Sequence, residues 1–413
     1  MLQAGILRLC VLQGFVGFVA VGHAQAIITV NQSGGANCTS ITQAVAAAAG
    51  ILARDPQHVT IEVLDSGPYY ESVYITQIPT SSSATLTLVG APGRTTIFAP
   101  RAAITCGFKP TRPIHIGRTD FVTVSGFIFQ NDLTGCTEAD AMTGINFDSY
   151  APSDSQITFD NCVWDGQDQT YDFKAILFCW QPHCNITVQN STFENIVVGT
   201  DLSVVYVGGR SMSMKKVPTF TFSGNRVINN SNPEVQIEGN PAGRGYYHKI
   251  VIQDNEFTGN TGQYDLLSIR NQRAGCDIHN NRFYGNTNSG RTLALLDSGN
   301  AHVTNNRFVQ NGAVAEVLVQ ASATGTTVLT GNTIAASEGP NFGVWADLGG
   351  SKLQSSGNRF YSNYDNDSTW NELTDDYVAY WAAGKGQKLT ISQWNAKTPK
   401  DGNDSWGDWP PTP

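Results

Sequence analysis

Apolar and polar positions alternate along this chain in short bursts, and each burst closes on one phrase, an Asn followed two residues later by a large apolar residue. The phrase reads Asn225-Arg226-Val227, Asn255-Glu256-Phe257, Asn281-Arg282-Phe283, Asn306-Arg307-Phe308, Asn332-Thr333-Ile334 and Asn358-Arg359-Phe360. Looser copies end at Phe129, Trp164 and Phe193. From Phe129 onward the apolar anchors are spaced by 35, 29, 34, 30, 26, 25, 26 and 26 residues. A period in this range marks a solenoid whose units bury their apolar faces only by stacking on one another.

A second register lies upstream of each anchor, an apolar alternation that ends in a polar or small residue. Its copies run Ile114 to Gly117, Ile145 to Asp148, Ile176 to Cys179, Val205 to Gly208, Val235 to Glu238, Leu267 to Arg270, Ala294 to Asp297, Val317 to Gln320 and Val344 to Asp347. Another strand, such as Ile250-Val251-Ile252, then leads into the Asn phrase. Alternation with a period of two puts one face inward. With two or three strands per repeat and no helical pattern between them, the fold class expected is all-β, a solenoid of parallel strands. The Asn of each phrase is then expected to stack on the Asn of the next coil as an amide ladder that satisfies the turn backbone. The Leu-rich pattern of leucine-rich repeats is absent, and the repeats are too short for propeller blades.

The ends differ from the middle. Arg8, the apolar run Val11 to Val21 and Ala24-Gln25-Ala26 have the order of a secretory signal, so 1–26 is expected to be a signal peptide and the protein to be secreted. Residues 27–363 are expected to form the solenoid, and 364–413 a capping tail. Ile41 to Ala53 is Ala-rich and predicts a short helix over the open end of the first coil. After Asn363 the aromatics Trp370, Tyr377, Tyr380, Trp381, Trp394, Trp406 and Trp409 crowd together, as a packing cap or a sugar-stacking surface.

Charge changes the list of partners. Removing the signal takes away Arg8, leaving 24 of the 25 Lys and Arg against 34 Asp and Glu. No basic run is present, so no nucleic acid partner is expected, and no stretch is long enough for a membrane span. A monomer is expected. Seven cysteines remain once Cys10 is gone, and secretion permits disulfides. Cys179 and Cys184 bracket a four-residue loop that a bridge would pin, and Cys106 with Cys136 is the second expected pair. No Cys-x-x-Cys pair suggests zinc. Asp365-Asn366-Asp367 offers oxygen ligands for calcium but lacks the Gly and distal Glu of an EF-hand loop, so a surface turn is the simpler account.

The chain resembles the right-handed parallel β-helix proteins of the pectin-lyase-like superfamily. The opening segments Ile41 to Ala48, Val59 to Val63, Gly67 to Glu71 and Leu86 to Gly90 follow the order of first coils in secreted polysaccharide lyases, hydrolases and esterases of that group. The closing Leu389 to Trp394, with Asp401 and Asp404 after it, is similar to tails of bacterial secreted β-helix proteins. Gly166 to Tyr171 resembles a pectin methylesterase segment and would make Asp168 its catalytic Asp, but only Gly199 to Ser203 remotely resembles the second Asp segment, and that family's Gly-Arg-Pro-Trp segment is missing. The resemblance implies a fold and a polysaccharide ligand more firmly than it implies a reaction.

Stacked coils turn the sequence into columns. One expected column is Gly117, Asp148, Cys179, Gly208, Glu238, Arg270, Asp297, Gln320 and Asp347. A second, two residues earlier, is His115, Asn146, Leu177, Tyr206, Gln236, Ser268, Leu295, Leu318 and Trp345. Polar groups concentrate between Asn146 and Asp297, with Arg270 placed between Glu238 and Asp297. That line is either a salt-bridge ladder on the surface or the floor of a groove for a long glycan. For a polysaccharide lyase on a uronate-containing glycan, Arg270 or Arg210 would neutralise the carboxylate, and Tyr206, His248 or Lys249 would move the proton. Asn146, Asp148, Gln236 and Asp297 would bind substrate. A hydrolase would use Glu238 and Asp297 as its carboxyl pair, and a non-catalytic carbohydrate-binding scaffold would use neither.

Overall fold

The computed structural model describes residues 25–99, 112–131, 142–146, 156–171, 175–180, 184–199, 203–208, 218–239, 249–272, 275–298, 300–320, 325–336, 342–348, 352–361, 377–382, 386–398 and 403–407. Among the described residues, after the first strands each coil contributes to three sheets, of twelve, eleven and twelve strands. One coil reads Cys276–His279 in the first sheet, Arg282–Tyr284 in the second and Arg291–Leu296 in the third. Neighbouring strands within the three sheets are parallel except for the last pair of the third sheet, Tyr377–Trp381 with Gln387–Thr390.

Sharp corners between the sheets explain the Asn phrase. The residue before each phrase takes a left-handed backbone: Gly224 (φ 65°), Asp254 (57°), Asn280 (59°), Asn305 (55°), Gly331 (66°) and Gly357 (66°). Gly has no Cβ to clash there, and Asn and Asp tolerate the conformation best among the rest. The Asn that follows turns inward and is buried. Asn255 donates its backbone N–H (3.0 Å) and its Nδ2 (2.9 Å) to Oδ1 of Asn281. Its Nδ2 also donates to the Phe222 carbonyl at 2.8 Å. The same bonds carry the row from Asn225 through Asn281, Asn306 and Asn332 to Asn358. The expected amide ladder is present.

A second ladder, which the sequence reading did not resolve, runs five residues downstream through Asn230, Asn260, Asn286 and Asn311. Both rows end on carboxylates. Asn358 donates to Asp404 Oδ1 through its backbone N–H (2.7 Å) and Nδ2 (3.0 Å), and Asn311 Nδ2 donates to Glu316 Oε2 at 3.1 Å.

The anchors of the Asn phrase fill the core as a file of rings. Trp164 and Phe193 stack with centroids 4.4 Å apart, Phe257 and Phe283 at 4.7 Å, and Phe283 and Phe308 at 4.9 Å. All are fully buried, so each coil is held to the next by apolar surface removed from water as well as by strand pairing.

Caps close both ends. The predicted N-terminal helix, α1, spans Ile41–Arg54 and buries Ile41, Ala44, Val45, Ala48 and Leu52 against the first strands. Its first turn is satisfied twice, by Ser40 as N-cap and by the Glu71 carboxylate, which accepts from the Ile41 and Thr42 backbone N–H groups at 2.8 and 2.9 Å. At the other end, helix α2 (Ile391–Lys397) opens with a Thr390/Gln393 capping box. Trp394 of α2 is fully buried and donates Nε1 to Asp404 Oδ2 at 2.9 Å. For Trp394 the packing-cap reading therefore holds. Among the described residues no helix is long and apolar enough to cross a membrane.

Cys179 and Cys184, expected as a disulfide, are buried free thiols. Cys179 is an inward residue of Ala175–Trp180, packed in the hydrophobic core, and burial pushes both thiols up. Cys106 and Cys136 lie outside the described residues, as do the signal segment up to Ala24 and Asp365 to Asp367.

Candidate functional site

The outward face of the third sheet gathers the candidate chemistry, in a register that differs from the expected one. Strand pairing aligns Gly117, Asn146, Trp180, Gly208, Glu238, Arg270, Leu296, Gln320 and Asp347. Asp297 therefore stands one residue beyond the column, at a left-handed corner (φ 53°) that matches Asn271 (φ 55°). Asn146 belongs to the Glu238 column instead of the Tyr206 column. The latter reads Tyr74, His115, Gly144, Phe178, Tyr206, Gln236, Ser268, Ala294, Leu318, Trp345 and Tyr380. Leu177, Cys179 and Leu295 face the core.

The line Glu238–Arg270–Asp297 is replaced by a different network. Arg270 Nη2 lies 2.7 Å from Glu234 Oε1 and 3.9 Å from Asp265 Oδ2. Asp265 in turn pairs with Arg291, whose Nε is 2.9 Å from Oδ1 and whose backbone N–H donates to the same oxygen at 2.9 Å. Ser268 bridges the cluster, accepting from Arg270 Nε at 3.2 Å and donating to Glu234 Oε1 at 2.5 Å. The two carboxylates are buried, while a third of each guanidinium side chain is exposed. Burial holds both carboxyl groups above their ordinary values, against the pull of the arginines.

Sequence reasoning missed Glu234, Asp265 and Arg291 because they precede the apolar alternations. The available signal was their position: Glu234 directly before Val235, and Asp265 and Arg291 two residues before Leu267 and Leu293.

Beside this network Tyr206 and Glu238 do come together. The Tyr206 hydroxyl donates to Glu238 Oε2 at 3.0 Å, and Gln236 Nε2 reaches the same oxygen at 3.5 Å. Ser203 Oγ steadies Gln236 by donating to its Oε1 at 3.1 Å. Tyr206 reaches the next coil by lying over Gly208, where a Cβ would collide with its ring and hydroxyl. Tyr206, Gln236 and Glu238 are all partly exposed.

Lys249 falls elsewhere. It opens Lys249–Gln253 in the first sheet, exposed on a different face, and cannot share a substrate atom with Tyr206. Asp168 is exposed in the second sheet, also off the face. Arg210, His248 and Asp148 lie outside the described residues, and Asn146 is placed by its strand, Thr143–Asn146. Among the described residues no group of three His, Cys, Asp or Glu side chains is placed to hold a metal ion.

Three sheets of parallel strands and asparagine corners define a parallel β-solenoid with a candidate ligand face on its third sheet. The chain belongs to the right-handed β-helix family, whose model matches residues 121–360, more than half of the sequence. No curated protein matches it. Among solved structures, Escherichia coli YbhC aligns over 84% of this chain and 87% of that chain, at 13% identity and a TM-score of 0.27, a likeness too weak to support an inference.

Proposed function

We propose that this β-helix protein is secreted and acts on a polysaccharide, as a lyase of a uronate-containing glycan laid along the outward face of the third sheet. The observation that carries this reading is the Tyr206–Glu238 hydrogen bond beside Arg270, with all three side chains partly exposed. A phenol and a carboxylate in contact provide an acid and a base for one elimination. Glu238 takes the proton from C5 of the uronate, the freed electron pair forms the C4–C5 double bond, and the C4–O bond breaks. The leaving oxygen takes the Tyr206 proton, and the proton on Glu238 then returns to the phenolate. Arg270, the register partner of Glu238, would give a substrate carboxylate a nearby cation.

One observation favours a second reading, a glycan-binding scaffold without catalysis. Arg270 already faces Glu234 and Asp265, so much of its charge is matched within the protein.

An activity screen of the secreted protein separates the two. Alginate, pectate, chondroitin, glucuronan and neutral glucans are followed by ultraviolet absorbance of unsaturated uronides and by reducing ends, with and without calcium. Absorbance and reducing ends rising together, lost in Glu238→Gln and Tyr206→Phe, support the lyase. Reducing ends alone point to a hydrolase. Binding without either signal leaves the scaffold.

A further inference from the structure

We propose that Trp345 and Tyr380, with Lys388 beside them, form a second glycan subsite that takes an acidic pyranose ring, remote from Tyr206 and on the same column. The inference rests on the reading of the third sheet as a glycan face.

The anchor rings of the Asn phrase point inward, as Phe257, Phe283 and Phe308 do. At Phe342–Asp347 the inward places go to Val344 and Ala346, and Trp345 faces outward, partly exposed. Its register partner on the next strand is Tyr380, also partly exposed, with ring centroids 4.9 Å apart at 66°. Phe342 closes the group, 5.3 Å from Tyr380 and 6.3 Å from Trp345. Three part-exposed rings on a polar surface leave apolar area in water, which the C–H face of a sugar ring would cover.

The neighbouring charge selects the sugar. Lys388 pairs across the strands with Tyr380, and its Nζ is 5.8 Å from the centre of the Phe342 ring. With this cation over the Phe342 ring, the Trp345 and Tyr380 rings beside it suit a pyranose that carries a carboxylate. The platform is also set in advance: Gly386 leaves room for the Tyr380 hydroxyl, with which a Cβ there would collide. A surface that is already ordered loses little entropy on binding.

Position supplies the link to the site. Trp345 and Tyr206 occupy the same column, five strand steps apart, or roughly 24 Å at the usual parallel spacing. Only a glycan of several residues spans both, so the platform acts on long chains and leaves short ones unaffected.

The test is calorimetric titration of the full chain with oligogalacturonates and oligomannuronates of graded length. Wild type is compared with Trp345→Ala, Trp345→Phe, Lys388→Ala and Arg270→Lys, each checked for a native melting transition. The expected result is an affinity that rises once the oligomer spans the two subsites. That gain falls about tenfold in Trp345→Ala, is weakened in Lys388→Ala and is largely kept in Trp345→Phe, with short oligomers unaffected. Should Trp345→Ala fail to fold, Lys388→Ala decides. Long oligomers binding the folded variants as tightly as wild type overturn the platform, and the reading of the central site stands if Arg270→Lys still weakens binding. No binding of either probe to wild type overturns both.

Discussion

The guanidinium of Arg270 lies 2.7 Å from Glu234, a buried carboxylate in the preceding coil. Removing Arg270 therefore strands buried negative charge on Glu234, while Asp265 keeps Arg291. Arg270→Ala is expected to cost about 3–5 kcal/mol of stability, seen as a fall in the denaturant midpoint. Loss of activity in that variant would not identify a catalytic group. Glu238→Gln is the cleaner probe, because Glu238 is partly exposed and its loss leaves no buried charge unpaired.

Gly208 positions Tyr206. Gly208→Ala keeps a permitted backbone conformation but drives the Tyr206 ring away from Glu238. Turnover is expected to fall by at least about tenfold, the consequence of misplacing a reacting group, while the melting temperature stays within a few degrees of wild type. Equal loss of both would mean that Tyr206 matters only for packing.

Asp404 collects four donors at the end of the first ladder: the Asn358 backbone N–H and Nδ2 on one oxygen, and Trp394 Nε1 and the Ser355 hydroxyl on the other. Asp404→Asn turns one of those oxygens into an N–H₂ facing donors. A loss of about 1–3 kcal/mol is expected for the donors left unsatisfied, measured by chemical denaturation, with a larger loss for Asp404→Ala.

Glu316 should make stability depend on pH. It is fully buried, with Thr292 and Asn311 as its polar neighbours, and burial pushes its carboxyl up to about 8. Between the ordinary value of 4.5 and that value the folded chain binds more protons than the unfolded chain. Stability is thus at its fullest below the ordinary value and falls as pH rises towards about 8. Glu234 and Asp265 shift in the same direction and add to the slope. Melting curves of Glu316→Gln across this range should be flatter than those of wild type, and an unchanged slope would show that Glu316 is not the group responsible.

The solenoid was legible because its corners impose residue types: a left-handed position needs Gly, Asn or Asp, and the buried turn beside it needs an amide. The site was harder to read because facing depends on register. Arg291–Leu296 contains the run Leu293-Ala294-Leu295-Leu296, which alternates equally well in either phase, and choosing the wrong one put Asp297 on the ligand face and Ala294 in the core. Ile176 to Cys179 failed for the same reason. A slip of one residue exchanges inside for outside. Where polar residues break the run, at Val235–Glu238 and Leu267–Arg270, the facing came out right, and so did the pairing of Tyr206 with Gln236.

The amide rows also give the solenoid an electrical direction. Every rung passes hydrogen from one coil to the next in the same sense, so the bond dipoles add along the stack, much as peptide dipoles add along a helix. The donor end of such a row is its positive pole, and that is where the first row meets the Asp404 carboxylate and the second the Glu316 carboxyl group. A further coil spliced in before Asp404 would inherit a rung ready to receive it, whereas one added after would meet a carboxylate with no hydrogen to pass on. By this logic each row of asparagines stops where an acid replaces an amide.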